Sequence, residues 1–116
     1  MLSTLSGITH TSLMPPEHQT AFAPLTTAFA RVNSLRCSCH EYRLLAQGAV
    51  DFTLSGMLNP WDHAAGAFIT TRAGGVARFL DGDDYDIART DGYLLCAGSE
   101  ATWQAVRDHI GDALDS

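Results

Sequence analysis

The sequence predicts a layered α/β fold, in which helices cover the faces of a β-sheet. Segments with apolar residues at helical spacing alternate along the chain with short segments typical of strands. Glycine or proline stands at most of the changes between them, where the chain has to turn. The 116 residues, 46% of them apolar, suffice for one domain with its own core. Alternation of this kind is typical of helices packed on a sheet.

Charge and hydropathy exclude several classes of partner. Seven Lys and Arg against thirteen Asp and Glu give a net charge of −6, and no segment concentrates basic residues. We therefore expect no nucleic acid and no membrane surface as a partner. No apolar run approaches the ~20 residues that span a membrane, and Met1–Gly7 lacks the basic start and apolar core of a secretory signal. A cytoplasmic protein is expected.

The three cysteines are predicted to be reduced thiols with a structural role. Cys37 and Cys39 are too close in the chain to brace the fold by a disulfide between them. The run from Cys37 to His40 invites a zinc site, but a structural zinc site needs four ligands, usually in two separated pairs. The remaining thiol, Cys96, stands alone in the sequence.

The first 34 residues carry the weaker structural signals. Leu5–Ile8 is predicted to be a short strand, and Pro16 can begin a helix because proline fits a first helical turn. Apolar residues then recur at helical spacing, at Phe22, Leu25, Phe29 and Val32. Pro24 stands inside this segment, so the helix either kinks or begins there.

The next helix is predicted to begin at Ser38. Ser38 and Glu41 form a capping box, in which each side chain bonds a free amide of the first turn. The apolar face of this helix is Tyr42, Leu45, Ala46 and Ala49. Gly48 is expected to end the helix, and residues 50–55 then alternate between apolar and polar, the pattern of a half-buried strand.

A further helix is predicted to begin at Pro60, with Asn59 as its cap, and to end at Gly74 and Gly75. Its apolar stripe is Trp61, Ala64, Ala65, Phe68, Ile69 and Ala73. A stripe of this kind predicts one helix face packed on the core.

Two strands and a helix complete the chain. The strands are predicted at Val76–Leu80, closed by a turn at Asp81 and Gly82, and at Tyr93–Ala97. The last helix starts at Ser99. Its buried face is Trp103, Val106, Ile110, Ala113 and Leu114.

The segment from Asn59 to Gly82 carries a motif with a family likeness. It reads Trp61-Asp62-x-Ala-Ala-Gly, an apolar helix, Ala73-Gly74-Gly75-Val76, and a short strand ending in Asp81-Gly82. This pattern resembles the C-terminal signature of the inositol monophosphatase family. The members of that family are magnesium-dependent, lithium-sensitive phosphomonoesterases. The likeness is good over residues 35–110 and weak over residues 1–34. It implies a mixed β-sheet flanked by helices, in one domain of residues 1–116 equivalent to the C-terminal half of the family fold.

In this family the Asp that follows the Trp is a ligand of a catalytic Mg²⁺, so the resemblance implies that Asp62 holds the metal. A carboxylate oxygen is a donor that Mg²⁺ prefers, and a helix start supplies amides and a positive dipole end that favour a phosphate. The alternative is that Asp62 only offsets the dipole in a first helical turn, which contributes ~0.3–1 kcal/mol.

The other metal ligands of the family have no counterpart in the sequence. They are a Glu and an Asp-Pro-x-Asp-Gly-Thr motif of the N-terminal half. The Asp-Gly pairs here, Asp81-Gly82 and Asp91-Gly92, lack a following Thr or Ser. One carboxylate cannot hold the ions that activate a water for phosphate hydrolysis. We therefore expect no catalytic residue on this chain alone, an inactive isolated chain, and an absent N-terminal metal-binding half.

Three residues are candidates for substrate contact by resemblance, namely Cys37, Ser38 and Ser55. In the family a Gly-Ser/Thr-Ala turn lines the substrate pocket, and Arg36, Cys37 and Ser38 stand at its positions. Ser55 stands where inositol-selective relatives place an acidic residue that binds sugar hydroxyls. Because Ser55 replaces that acid, specificity for inositol is in doubt.

Other acidic and histidine residues have simpler interpretations. One acidic run resembles the opening of a calcium loop, but Gly92 stands at the twelfth position, where such a loop needs Glu. We therefore interpret this run as a solvated acidic turn. Its residues are Asp81, Asp83, Asp84 and Asp86. Three histidines remain as general bases in principle, without an accompanying nucleophile motif. They are His40, His63 and His109.

Two functions follow from the sequence. The first is the C-terminal part of a Mg²⁺-dependent phosphomonoesterase that hydrolyses a small phosphorylated metabolite by metal-activated water, with an inositol phosphate, a nucleotide or a sugar phosphate as substrate. The second is a truncated, catalytically silent interaction module or gene fragment. An apolar face is expected in either case, covered by the absent half or by a second copy of the chain.

Overall fold

A computed structural model of the protein describes residues 2–9, 16–34, 45, 47–48, 50–55, 60–86 and 93–114. Its strands are β1 (Ser6–Thr9), β2 (Arg31–Ser34), β3 (Phe52–Ser55), β4 (Val76–Phe79) and β5 (Leu94–Ala97). Its α-helices are α1 (Pro16–Phe22), α2 (Pro60–Arg72) and α3 (Glu100–Leu114), with 3-10 helices at Leu2–Thr4 and Ala23–Ala28. None of these helices has both the length and the apolar character needed to cross a membrane.

The strands form one mixed sheet in the order β2-β1-β3-β5-β4. β1 runs parallel to both β2 and β3, while β5 runs antiparallel to β3 and β4. The parallel strands β1, β2 and β3 therefore end at the same side of the sheet, at Thr9, Ser34 and Ser55. We call this side the carboxyl edge. The predicted layered α/β class with a mixed sheet agrees with this architecture.

Two apolar clusters cover the two faces of the sheet. The face under α1 and α3 packs Leu5, Phe22, Phe29, Phe52, Leu54, Leu80, Leu95, Ala97, Trp103, Val106 and Ile110. The face under α2 packs Ile8, Leu45, Val50, Ala67, Ala77, Phe79, Leu94 and Cys96. Because β3 lies in the middle of the sheet, all four of its residues are buried. The prediction of a half-buried strand at 50–55 was therefore wrong in its burial.

The last helix and the strands before it form as the sequence predicts. Ser99 caps α3, since its hydroxyl accepts a hydrogen bond from the Thr102 amide at 3.2 Å. Trp103 is 3% exposed and its indole N–H donates to the Leu95 carbonyl at 2.9 Å. The Arg107 guanidinium donates to the Leu80 carbonyl at 2.9 Å. These bonds fix α3 across β5 and the end of β4.

The helix predicted from Pro16 changes character at Pro24. α1 ends at Phe22, the chain continues as a 3-10 helix, and Val32 belongs to β2. Proline has no amide hydrogen and cannot extend the α-helical bond pattern, so the apolar spacing that reached Val32 was not one helix. The Leu25 carbonyl is instead bonded to the His109 ring at 3.0 Å, which ties this segment to α3.

The burial of α2 differs from its predicted stripe. Phe68 is 64% exposed and Ile69 is 43% exposed, whereas Ala67 and Thr70 are buried at 5% and 2%. The Thr70 hydroxyl donates to the Gly66 carbonyl at 2.8 Å, so this polar side chain is satisfied within its own helix. Small inward side chains let α2 lie close to the sheet.

The glycines that end the helices are placed as predicted. Gly74 has φ 90° and lies two residues after the end of α2 at Arg72. A Cβ on Gly75 would collide with the Ala97 carbonyl oxygen. Gly48 has φ 79° and its amide donates to the Leu45 carbonyl at 3.1 Å. The rest of the helix predicted from Ser38 lies outside the described residues, as does the Asn59 cap.

Candidate functional site

The carboxyl edge of the sheet contains a topological switch point between β1 and β3. The connection from β1 to β2 packs α1 on one face, and the connection from β2 to β3 places Leu45 on the other face. The chain therefore changes direction across the sheet between β1 and β3. In open α/β sheets, ligands bind outside the carboxyl ends of the strands at this kind of switch point.

Two buried hydroxyls lie on β3 as it approaches this edge. Thr53 is 1% exposed and Ser55 is 2% exposed. Phe52 and Leu54 belong to the cluster under α1 and α3, so the alternation of a strand places Thr53 and Ser55 on the face that α2 covers. Among the residues that the structure describes, neither hydroxyl has a hydrogen-bond partner. A buried hydroxyl without a partner costs about 1–3 kcal/mol. Such a group commonly marks a place where water, an ion or a ligand completes the bonding.

Asp62 lies in the first turn of α2. The helix begins at Pro60, five residues after β3 ends at Ser55, so the predicted helix start is confirmed. α2 is 13 residues long, and its N-terminal amides and positive dipole end are suited to an anion. The contacts of the Asp62 carboxylate lie outside the described part of the structure, and its role as a metal ligand stays a prediction.

The remaining predicted site residues are not all in view. Cys37, Ser38 and His40 lie outside the described residues, and His63 is described only as part of helix α2. Cys96 is buried and forms no disulfide, and its structural role stays a prediction.

The acidic run after β4 forms a turn that is stabilised by its own contacts. The Asp83 amide donates to the Asp81 carboxylate at 3.0 Å, and Gly82 has φ 100°. Asp84 lies 3.5 Å from the guanidinium of Arg78. Within the described residues, no three His, Cys, Asp or Glu side chains come together closely enough to hold a metal ion.

Sequence reasoning missed a histidine and tyrosine pair. His18 Nδ1 and the Tyr93 hydroxyl are 2.6 Å apart, and they join α1 to the start of β5 at the carboxyl edge. Burial raises the pKa of the Tyr93 hydroxyl, and the nearby charge of Glu17 raises it further. Tyr93 is therefore protonated at neutral pH. The two residues are 75 positions apart, so no local pattern indicates the pair.

His109 has a packing role. Its bond to the Leu25 carbonyl is joined by an edge-on contact with the Phe29 ring, at 5.5 Å between centroids. Through these contacts His109, a residue of α3, holds the 3-10 helix Ala23–Ala28 and Phe29 against α3.

Two cavities lie beside α2. One of about 180 Å³ is lined by Leu45, Gly48, Thr70, Ala73, Gly75 and Gly98. The other, of about 420 Å³, is a groove between α2 and the turn after β4, lined by Ala67, Phe68, Thr71, Ala77, Asp84 and Tyr85. Ser55 lines neither of these two cavities.

Comparison with known proteins decides the family. The model of the inositol monophosphatase family matches residues 2–111. The chain belongs to the inositol monophosphatase family. The likeness read from the Trp61-Asp62 motif is thereby confirmed, and membership places the chain in a family of phosphatases.

Solved structures confirm the fold of this family. An inositol monophosphatase from Zymomonas mobilis superposes with a TM-score of 0.84 at 21% identity, over 95% of this chain and 43% of that one. An inositol monophosphatase from Thermotoga maritima gives a TM-score of 0.80 at 19% identity, over 98% and 43%. The family member described here therefore spans less than half the length of these relatives.

A curated relative is more similar in sequence over a shorter stretch. It is a probable 3'(2'),5'-bisphosphate nucleotidase of Arabidopsis thaliana, 46% identical over 54 residues. The match covers 42% of this chain and 16% of the relative.

Proposed function

We propose that this chain forms part of a Mg²⁺-dependent phosphomonoesterase, in which Asp62 is a metal ligand and the end of β3 contacts the substrate. One observation carries the proposal. At the switch point of the sheet, an unpartnered buried hydroxyl on Ser55 is followed five residues later by a helix start whose first turn contains Asp62. A carboxylate, a hydroxyl and a helix N-terminus together suit a phosphate and its metal ion.

The donor set of the chain fits part of a magnesium site. Mg²⁺ takes near-octahedral oxygen ligands and keeps several waters, so each ion needs few protein carboxylates. A site with two or three ions still needs more than one carboxylate. Asp62 supplies one, and the described residues supply no group of three. When bound, the metal lowers the pKa of the attacking water and neutralises charge on the leaving oxygen.

The residues of this chain have roles that do not depend on the details of metal binding. The amides at the start of α2 favour a phosphate by their positive dipole end. The Ser55 hydroxyl donates a hydrogen bond to a substrate oxygen, which would give this buried group a partner. We also assign substrate contacts to Cys37 and Ser38, on the family pattern.

The rest of the metal site is proposed to come from outside this segment. The chain spans 43% of the two solved relatives compared above, and the family's further acidic ligands have no counterpart in its sequence. The segment then corresponds to the C-terminal half of the fold. By itself it would release no phosphate, and the complete site would operate in the cytoplasm.

The neutral Ser55 favours a substrate other than an inositol phosphate. Inositol-selective relatives place an acid at this position, and an acid would bind sugar hydroxyls more strongly than a serine does. The similarity to a bisphosphate nucleotidase supports a nucleoside bisphosphate as the first substrate to assay.

The test is phosphate release by the protein as its own cells make it. Adenosine 3',5'-bisphosphate, inositol 1-phosphate and fructose 1,6-bisphosphate would be compared with and without Mg²⁺, for wild type, Asp62→Asn and the matched control Asp108→Asn. Asp108 is exposed on α3 and accepts a bond from Gln104 at 2.9 Å. We expect Asp62→Asn to lose Mg²⁺-dependent phosphate release and Asp108→Asn to keep it. Unchanged activity in Asp62→Asn would refute the assignment.

The silent interaction module remains the second candidate, because Phe68 and Ile69 expose apolar surface. It predicts no Mg²⁺ binding in the protein as its cells make it. Isothermal titration with Mg²⁺ separates the two functions, since a phosphatase must bind the ion and lose that binding in Asp62→Asn.

A further inference from the structure

The hydrogen-bonded pair of His18 and Tyr93 lies at the carboxyl edge of the sheet. His18 is the third residue of α1, which follows the end of β1, and Tyr93 directly precedes β5. β5 runs antiparallel to β3, with Leu94 beside Ser55. The start of β5 and the end of β3 are therefore neighbours, and the His18–Tyr93 pair lies at the same edge as the Ser55 hydroxyl.

The pair and Ser55 lie on different faces of the sheet. Tyr93 packs against the apolar cluster under α1 and α3. Leu54 belongs to that cluster too, so its neighbour Ser55 lies on the face that α2 covers. A ligand that crosses the edge at the switch point can have one part beside α2 and another part beside the pair.

The distance between the two side chains indicates which of them donates. The Tyr93 hydroxyl oxygen and His18 Nδ1 are 2.6 Å apart, a length that is usual for an O–H donor and short for an N–H donor. The Tyr93 hydroxyl keeps its proton at neutral pH, because burial raises its pKa. A neutral imidazole that accepts at Nδ1 carries its hydrogen on Nε2. The bond to Tyr93 therefore makes His18 Nε2–H a donor of fixed orientation.

This donor is not needed to hold the described part of the fold together. Both side chains of the pair are half-buried, and within the described residues the bond between them is the hydrogen bond that each of them makes. His109 differs, because its ring bonds the Leu25 carbonyl and packs edge-on against Phe29. His18 therefore keeps a hydrogen-bonding group for a ligand, whereas His109 is used in packing.

Charge distinguishes the two faces of this edge. Glu17 precedes His18 in α1, and its negative charge acts on the Tyr93 hydroxyl. This carboxylate would repel a phosphate beside the pair, whereas the start of α2 attracts an anion by its dipole. We therefore expect the phosphate of a substrate beside α2 and its uncharged organic group beside the pair.

We propose that His18 is a specificity-determining residue, whose Nε2–H donates a hydrogen bond to an oxygen or nitrogen atom of the organic group that carries the phosphate. Tyr93 is a positioning residue, because its O–H fixes the His18 ring. The proposal rests on the proposed function, since it takes the ligand to be a phosphate monoester bound at the carboxyl edge. The alternative is a pair that only ties α1 to β5.

Steady-state kinetics of the protein as its own cells make it tests this contact. Adenosine 3',5'-bisphosphate, inositol 1-phosphate and fructose 1,6-bisphosphate would be screened with saturating Mg²⁺, and the ester with the highest kcat/KM retained. The variants are His18→Phe, Tyr93→Phe, their combination and the matched control Tyr85→Phe. Tyr85 is another half-buried tyrosine, which packs on the opposite face of the sheet. Inorganic phosphate, as a competitive inhibitor, reports on the phosphate position alone.

We expect both His18→Phe and Tyr93→Phe to raise KM about three- to tenfold, the effect of one lost hydrogen bond. The kcat and the Ki of inorganic phosphate should stay within about twofold of wild type. The combined variant should resemble His18→Phe, because the two side chains act through one contact. Tyr85→Phe should match wild type. An unchanged KM in His18→Phe, or equal rises in KM and in the Ki of phosphate, would overturn the proposal.

Equilibrium binding separates a failure of this contact from a failure of the proposed function. The same three esters and inorganic phosphate would be titrated into the protein without Mg²⁺. If no phosphate is released but an ester binds more weakly to His18→Phe than to Tyr85→Phe, the contact stands and the phosphatase is refuted. If phosphate release depends on Asp62 while KM is unchanged in His18→Phe, the contact alone is refuted. A protein that releases no phosphate, and binds no ester or binds it equally in both variants, would refute both.

Discussion

Helices α2 and α3 lie on opposite faces of the same sheet and differ in how their apolar residues are distributed. α3 buries Trp103, Val106 and Ile110 and exposes polar side chains on its other side, so one partner accounts for its whole pattern. α2 buries small residues against the sheet and exposes Phe68 and Ile69. The contrast teaches that the apolar residues of α3 are accounted for by the sheet, whereas two large apolar residues of α2 are not.

The largest expected effect in stability comes from matched isoleucines on the two helices. Ile110 is 0% exposed and Ile69 is 43% exposed. Ile110→Ala should reduce the free energy of unfolding of the chain by about 2–5 kcal/mol, because it leaves a core cavity. Ile69→Ala should change it by less than ~0.5 kcal/mol, as surface substitutions do.

Urea unfolding followed by circular dichroism measures both variants. Equal losses for the two isoleucines would mean that Ile69 is packed within this chain as Ile110 is, and the contrast between the helices would fail.

The inward side of α2 can be tested by enlarging a small residue. Ala67→Leu should destabilise the chain by about 1–3 kcal/mol, since its added methyl groups meet the sheet. Ala67 is 5% exposed. Ala101→Leu is the control on the exposed side of α3 and should be near neutral in the same unfolding experiment. A neutral Ala67→Leu would show that α2 does not lie close to the sheet.

A smaller effect is expected at the cap of α3. Ser99→Ala removes the bond to the Thr102 amide and should cost about 1 kcal/mol. Ser99→Asp keeps an acceptor at this position and should retain the wild-type unfolding midpoint. If Ser99→Asp is as unstable as Ser99→Ala, the cap is not the source of the loss.

The smallest effect concerns pH. Burial raises the pKa of Tyr93 above its ordinary value of 10.0, so the folded chain keeps this proton to higher pH than the unfolded chain does. The contribution of Tyr93 to the free energy of unfolding is fully present below the ordinary pKa and is lost as the pH rises through the raised pKa. Unfolding midpoints should therefore fall less steeply above pH 10 in Tyr93→Phe than in wild type. Identical slopes would contradict the shift.

The sequence predicts the structure best where a local pattern of residues is determined by a single neighbouring element. The strands β4 and β5 and the buried face of α3 at Trp103, Val106 and Ile110 were all found from periodicity and turn residues, and Pro60 marked the start of α2. The family likeness came from the residues around Asp62, a motif whose spacing is local.

Properties that depend on distant neighbours were predicted less well. The burial of both sides of β3 depends on strand order, which the alternation at 50–55 does not encode. The exposure of Phe68 and Ile69 could not be predicted from spacing. Spacing shows which residues share one side of a helix, but not which side of the helix packs against the sheet. The orphaned hydroxyl of Ser55 is likewise visible only once the sheet is assembled.

The dependence of phosphate release on Mg²⁺ concentration tests the central claim, that the start of α2 belongs to a metal site. Loss of a group beside a metal ligand weakens metal affinity or activity by about 10–100-fold, so we expect loss of the ligand itself to cost at least as much. We predict that Asp62→Asn abolishes saturable Mg²⁺ dependence while Asp108→Asn preserves it. An unchanged Mg²⁺ titration in Asp62→Asn would contradict the account.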